Sequence, residues 1–106
     1  MRKLLILAAV SSLAAAGAVP ALASTRSVKV GDNFFGPKTL TVKKGTTIHW
    51  SWHTSAIHNV VGSGRASFSS GSPKSKGSYS RKLTRAGTYK IVCVVHSDMR
   101  QTIKVK

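Results

Sequence analysis

The residues of this chain best suited to chemistry stand near its C-terminus, where Cys93, His96 and Met99 follow one another as Cys-x-x-His-x-x-Met. A thiolate, an imidazole and a thioether form a soft donor set, and that set suits a copper ion cycling between soft Cu(I) and harder Cu(II). A zinc site more often draws further cysteine or histidine in place of the methionine. A strand ending at Cys93, with a short loop after it, would turn all three side chains toward one point. A fourth donor must then come from elsewhere. His58, 35 residues before Cys93, is the best candidate, at the start of a short strand over 58–61. His53 is a candidate accessory ligand. His49 alternates out of phase with Ile48 and Trp50 and is expected at solvent or a strand edge. Taken singly, Cys93 reads equally well as a buried core thiol, and a core filler is the lesser alternative for Met99; the joint spacing with His96 favours the metal.

The elements that must position these side chains are strands. Val28 and Val30 alternate with polar neighbours before a Gly31-Asp32-Asn33 turn. Leu40 and Val42 form a second alternating run, and Lys44-Gly45 turns the chain into 46–52, where Ile48, Trp50 and Trp52 share a face. Residues 62–76, rich in Gly, Ser and Lys, read as a loop with an edge strand near 66–68. Further strands are expected over 79–83, over 88–94 with Tyr89, Ile91 and Cys93 on one face, and over 102–105. Six to eight short strands separated by turns predict an all-β fold, an antiparallel sandwich or barrel, with no helix after the leader.

The chain has 106 residues. Arg2 and Lys3, an apolar run from Leu4 and the small-x-small triplet Ala21-Leu22-Ala23 read as a signal peptide over 1–23, cut after Ala23. The apolar core is short for a membrane span of about 20 residues. The remaining 24–106 suffices for one small domain. It carries 15 basic residues against Asp32 and Asp98, a formal charge of +13. Such a field favours anionic partners, including anionic envelope surfaces. The bases are scattered rather than interleaved with aromatics, which argues against a specific nucleic-acid site. A single cysteine in an exported domain cannot form an internal disulfide. A free thiol there would be open to oxidation, so a protected role such as metal binding is expected.

Several segments together resemble the cupredoxins, the small blue-copper proteins that include plastocyanin, pseudoazurin and amicyanin. The stretch from Asn33 to Gly45 is similar to their first strands, and Thr47-Ile48-His49-Trp50 to the strand before the first ligand. His58-Asn59-Val60 resembles the His-Asn-Val of plastocyanins. Gly87-Thr88-Tyr89 followed by Cys93 resembles the approach to their ligand loop, and the short gap from His96 to Met99 is the amicyanin-like form. The resemblance implies a Greek-key β-sandwich holding one type 1 copper. It implies that His58 and His96 bind through imidazole nitrogen, Cys93 through thiolate and Met99 as the long axial contact. It further implies a non-enzymatic carrier of single electrons between redox proteins in the periplasm or outside the cell; a monomer is expected, and the Lys/Arg surface would steer acidic redox proteins as donor and acceptor. A copper carrier supplying another cuproprotein, or a basic secreted domain binding anionic polymers, are the alternatives. Four departures from the family pattern stand out. Ile57 replaces the usual Pro. Val94 replaces a hydroxyl residue that would bond Asn59, leaving Asn59 to brace the loop through the backbone. Ser97-Asp98 replaces Pro-Gly, with Arg100 placed to pair with Asp98. Arg81 stands where an aromatic is common and is expected at an edge.

Overall fold

Alternation of apolar and polar residues sets the strands, and the core is the sum of their inward halves. The computed structural model describes residues 24–106; the leader expected over 1–23 lies outside the described residues. Nine strands follow one another: β1 Thr25–Gly31, β2 Phe34–Gly36, β3 Thr39–Val42, β4 Thr46–His58, β5 Val61–Gly64, β6 Phe68–Ser69, β7 Lys74–Leu83, β8 Gly87–Cys93 and β9 His96–Val105. Among the described residues there is no helix. One sheet has the order β2-β1-β4-β7 and the other β3-β9-β8-β5-β6. Val28, Val30, Ile48, Trp50, Trp52 and Leu83 from the first meet Leu40, Val60, Tyr89, Ile91, Ile103 and Val105 in a single buried cluster.

The sheets are mixed rather than wholly antiparallel: β1 runs parallel to β4, and β3 parallel to β9. Strand direction leaves no trace in the alternation, because inward and outward residues alternate with the same period in either case. Three boundaries also differ from expectation. His58 ends the long β4 instead of opening a strand; β5 begins at Val61; and Lys74–Lys76 belong to β7. β7 is an edge strand, and polar, lysine-rich edges protect a sheet from pairing with another chain.

The aromatic residues close one side of the sandwich. Phe68 lies 6.0 Å from Trp50 and 6.1 Å from Tyr79, centroid to centroid. Arg81, on the edge strand as expected, sets its guanidinium 5.1 Å over the Phe68 ring. Gly62 sits directly opposite Phe68, and a Cβ there would come within 2.2 Å of the ring. Phe35 is core and Phe34 exposed. Tyr89 donates its hydroxyl to the Arg85 carbonyl at 2.7 Å, tying β8 to the turn before it.

The registers give the molecule two ends. β4 and β8 run toward one end, finishing at His58 and Cys93, and β9 starts there at His96. At the other end Thr46 pairs with Leu83 and Val105 with Gly87. Exposed Lys43, Lys44, Arg85 and Lys106 crowd that far pole, flanked by Arg26, Arg65, Lys82 and Lys104. Both acidic residues, Asp32 and Asp98, lie at the His58–Cys93 end, on the β1–β2 turn and on β9.

Candidate metal centre

Two irregularities in the ladders build the centre. β8 and β9 meet through the two-residue turn Val94-Val95, with Cys93 opposite His96; the next pair is Val92 with Arg100, so Ser97, Asp98 and Met99 bulge from β9. The expected ligand loop is therefore a tight hairpin plus a bulge, a device that re-aims side chains beside functional sites. The second irregularity is in β4, which advances from His53 to His58 while β7 moves only from Lys76 to Lys74. The extra residues carry His58 over the end of the sandwich.

These turns bring the predicted donors together. The ligand atoms of His58, Cys93 and His96 all lie within 4.8 Å of one another. Cys93 Sγ is 3.9 Å from His58 Nδ1 and 3.6 Å from His96 Nδ1. A first-row ion bound at about 2.0 Å to nitrogen and about 2.3 Å to sulfur in a trigonal plane separates N from S by about 3.7 Å. The spacing thus fits a metal held between the three side chains. His58 is 0% exposed, Met99 1% and Cys93 2%, whereas His96 is half-buried. Met99 comes from the β9 bulge three residues beyond His96. His53 is exposed and does not join the cluster, and His49 bonds Ser80 at 2.6 Å.

Asn59 locks the surrounding turns. Its Oδ1 accepts the Val94 backbone N–H at 3.0 Å, and its Nδ2 donates to the Gly71 carbonyl at 3.0 Å. The backbone brace expected once Val94 replaces a hydroxyl residue is present. Ser70 adds a contact, its Oγ accepting the Val60 N–H at 2.8 Å.

Asp32, read from sequence only as a turn residue, proves to be part of the site. Its Oδ1 lies 2.8 Å from His58 Nε2, the one carboxylate contact to a basic side chain within salt-bridge distance among the described residues. The carboxylate also accepts the backbone N–H of Ser55 at 3.2 Å and of Ala56 at 3.1 Å. The His58 contact, with help from the Ala56 amide, holds the Asp32 carboxyl below the usual carboxylate range against a smaller opposing effect of desolvation. The available signal was rarity: Asp32 is one of two acids facing 15 bases in the domain. Asp98, by contrast, makes no ion pair with Arg100. The two side chains line a shallow depression with Phe34 and Lys38.

Around half-buried His96 the surface is apolar. Val94 is 61% exposed, Ile57 48% and Val95 45%.

The family model described as copper binding proteins, plastocyanin/azurin family, matches residues 23–106. No curated protein sequence matches the chain. Among solved structures, a reduced tryptophan-to-tyrosine variant of amicyanin is 28% identical with a TM-score of 0.68, covering 78% of this chain and 83% of its own. The Cu(I) form of a methionine-to-alanine variant of amicyanin is 31% identical with a TM-score of 0.65, over 79% and 82% of the two chains. A purple cupredoxin from Nitrosopumilus maritimus, 21% identical with a TM-score of 0.64, covers 76% of this chain and 98% of its own, and shares the fold.

Proposed function

This chain belongs to the plastocyanin/azurin family of copper-binding proteins, and we propose that it is an exported carrier of single electrons between larger redox proteins. The cluster of His58, Cys93, His96 and Met99 matches a type 1 copper site. In our reading these four are the ligands, with the two imidazoles and the thiolate as the strong donors and Met99 as the weak one. Bound there, copper supplies a one-electron couple. The observation that carries the reading is the convergence of one thiolate and two imidazole nitrogens from the ends of both sheets. Ligands fixed by the Asn59 brace and by burial need little rearrangement between oxidation states, which is what fast electron transfer requires. No general acid, base or nucleophile is called for.

Half-buried His96, rimmed by Ile57, Val94 and Val95, is the natural port for the electron. Lys38, Lys74 and Arg100 stand around this end and suit an acidic partner. The far basic pole suits anionic envelope surfaces. The leader over 1–23 supports export to the periplasm or beyond. The deep burial of three donors favours retained copper over the exchangeable copper of a delivery protein, and the metal off-rate to a chelator separates the two.

The test is an absorption spectrum after adding Cu(II). An intense visible thiolate-to-copper band is expected in the wild type and is lost in Cys93→Ser. A wild-type protein that stays colourless under oxidising conditions overturns the reading.

A further inference from the structure

We propose that Asp32 is a positioning residue for the metal centre: by holding Nε2 of His58 it fixes the ligand's tautomer and tilts the site toward Cu(II). The inference rests on the copper reading above and asks which residue of this chain sets the preference between oxidation states.

The geometry is specific. His58 is wholly buried, and its two ring nitrogens face different neighbours: Nδ1 points toward Cys93 Sγ and His96, and Nε2 toward Asp32 Oδ1 at 2.8 Å. A carboxylate at Nε2 keeps the proton on that nitrogen and leaves the Nδ1 lone pair free for a metal. Asp32 is itself fixed. It sits in the two-residue turn between β1 and β2, where Gly31 pairs with Phe34 and Asn33 takes a left-handed φ of 71°. The β4 bulge then wraps the Ser55 and Ala56 amides onto the carboxylate. One side chain thus gathers the turn, the bulge and the ligand.

The consequence is electronic as well as steric. A carboxylate bonded to the far nitrogen makes the imidazole a stronger donor and places negative charge one ring away from the ion. Both effects stabilise the more highly charged Cu(II) over Cu(I). The domain's other carboxylate, Asp98, pairs with no ligand histidine, so it provides a variant of equal charge change.

The experiment compares copper-loaded wild type, Asp32→Asn and Asp98→Asn by redox titration and by Cu(II) and Cu(I) competition with chelators. Loss of a carboxylate behind a ligating histidine typically costs about 10- to 100-fold in metal affinity. If that loss falls on Cu(II) alone, the potential of Asp32→Asn rises by about 59 to 118 mV, well beyond any rise in Asp98→Asn. A shift no larger than that of Asp98→Asn, or equal weakening of both oxidation states, means that Asp32 only braces the fold and overturns the proposal. A second measurement needs no variant. In the Cu(I)-loaded wild type, the His58 Nε2–H is expected as a slowly exchanging imidazole proton in nitrogen-edited NMR; rapid exchange with water overturns the proposal independently. If the wild type shows no thiolate-to-copper band at all, it is the copper reading that fails, and the two failures are told apart.

Discussion

Asn59 shows how much one buried amide can hold. Its carbonyl oxygen accepts from the turn that carries Cys93 and His96, and its amino group donates to the loop before β7. Asn59→Ala removes the hydrogen bonds to the Val94 N–H and the Gly71 C=O, each worth about 0.5–1.5 kcal/mol. A lowered melting temperature is expected, with faster copper loss to a chelator; an unchanged off-rate would show that the turn holds its shape without the brace. Gln101 is a comparable case inside the core. It is 2% exposed, accepts from Trp50 Nε1 at 2.9 Å and donates to the Pro37 carbonyl at 2.7 Å. Gln101→Leu strands both partners and is expected to destabilise by about 2 kcal/mol or more, measured by denaturant unfolding. At this scale the four proposed ligands were legible because their types and spacing are local signals joined by one distant histidine. Asp32 and Gln101 were not, since their partners lie 26 and 51 residues away and an Asp in a turn already has a sufficient local explanation.

The strands that alternate cleanly were the legible ones. β1, β3 and β8 lie where Val28 and Val30, Leu40 and Val42, and Tyr89, Ile91 and Cys93 place them. β4 was cut short because the bulge after His53 breaks its period, and that same break delivers His58 to the site. β7 was half missed because an edge strand rich in Lys, Ser and Gly carries little inward pattern; its exposed N-terminal half looks like loop in composition. The pairing of Gly62 with Phe68 is also an element-level feature, in which the missing side chain on β5 makes room for a ring from β6. Gly62→Ala forces that ring out of its place beside Trp50 and Tyr79. A destabilisation of about 1–3 kcal/mol is expected for such overpacking. Chemical denaturation checks it, and a variant as stable as the wild type would place the Phe68 ring elsewhere.

The charge of the whole molecule is uneven. Both carboxylates sit at the metal end, while the opposite pole carries exposed bases without an acid among them. Attraction to an acidic partner should be screened by salt, so the bimolecular electron-transfer rate is expected to fall as ionic strength rises from about 0.01 M to 0.15 M. A rate indifferent to salt would exclude electrostatic steering. Reversing Lys43 and Lys44 to Glu should weaken adsorption to anionic vesicles more than reversing Lys29 and Lys76, at the same net charge, as read by co-sedimentation.

The position of His58 has a mechanical consequence. It ends a strand of the four-stranded sheet, whereas Cys93 and His96 belong to the five-stranded one. An ion joining them is a cross-link between the two halves of the sandwich, closing a loop of 35 residues. In the chain-entropy account a covalent link of that span is worth about 4 kcal/mol. A domain without a disulfide thereby gains a removable rivet at one end, and that end should be the first to gape when the rivet is drawn. Amide hydrogen exchange would then quicken around Asn59 and Val94 on copper removal, while the amides of Gly45 and Lys106, bonded across the far pole, keep their pace.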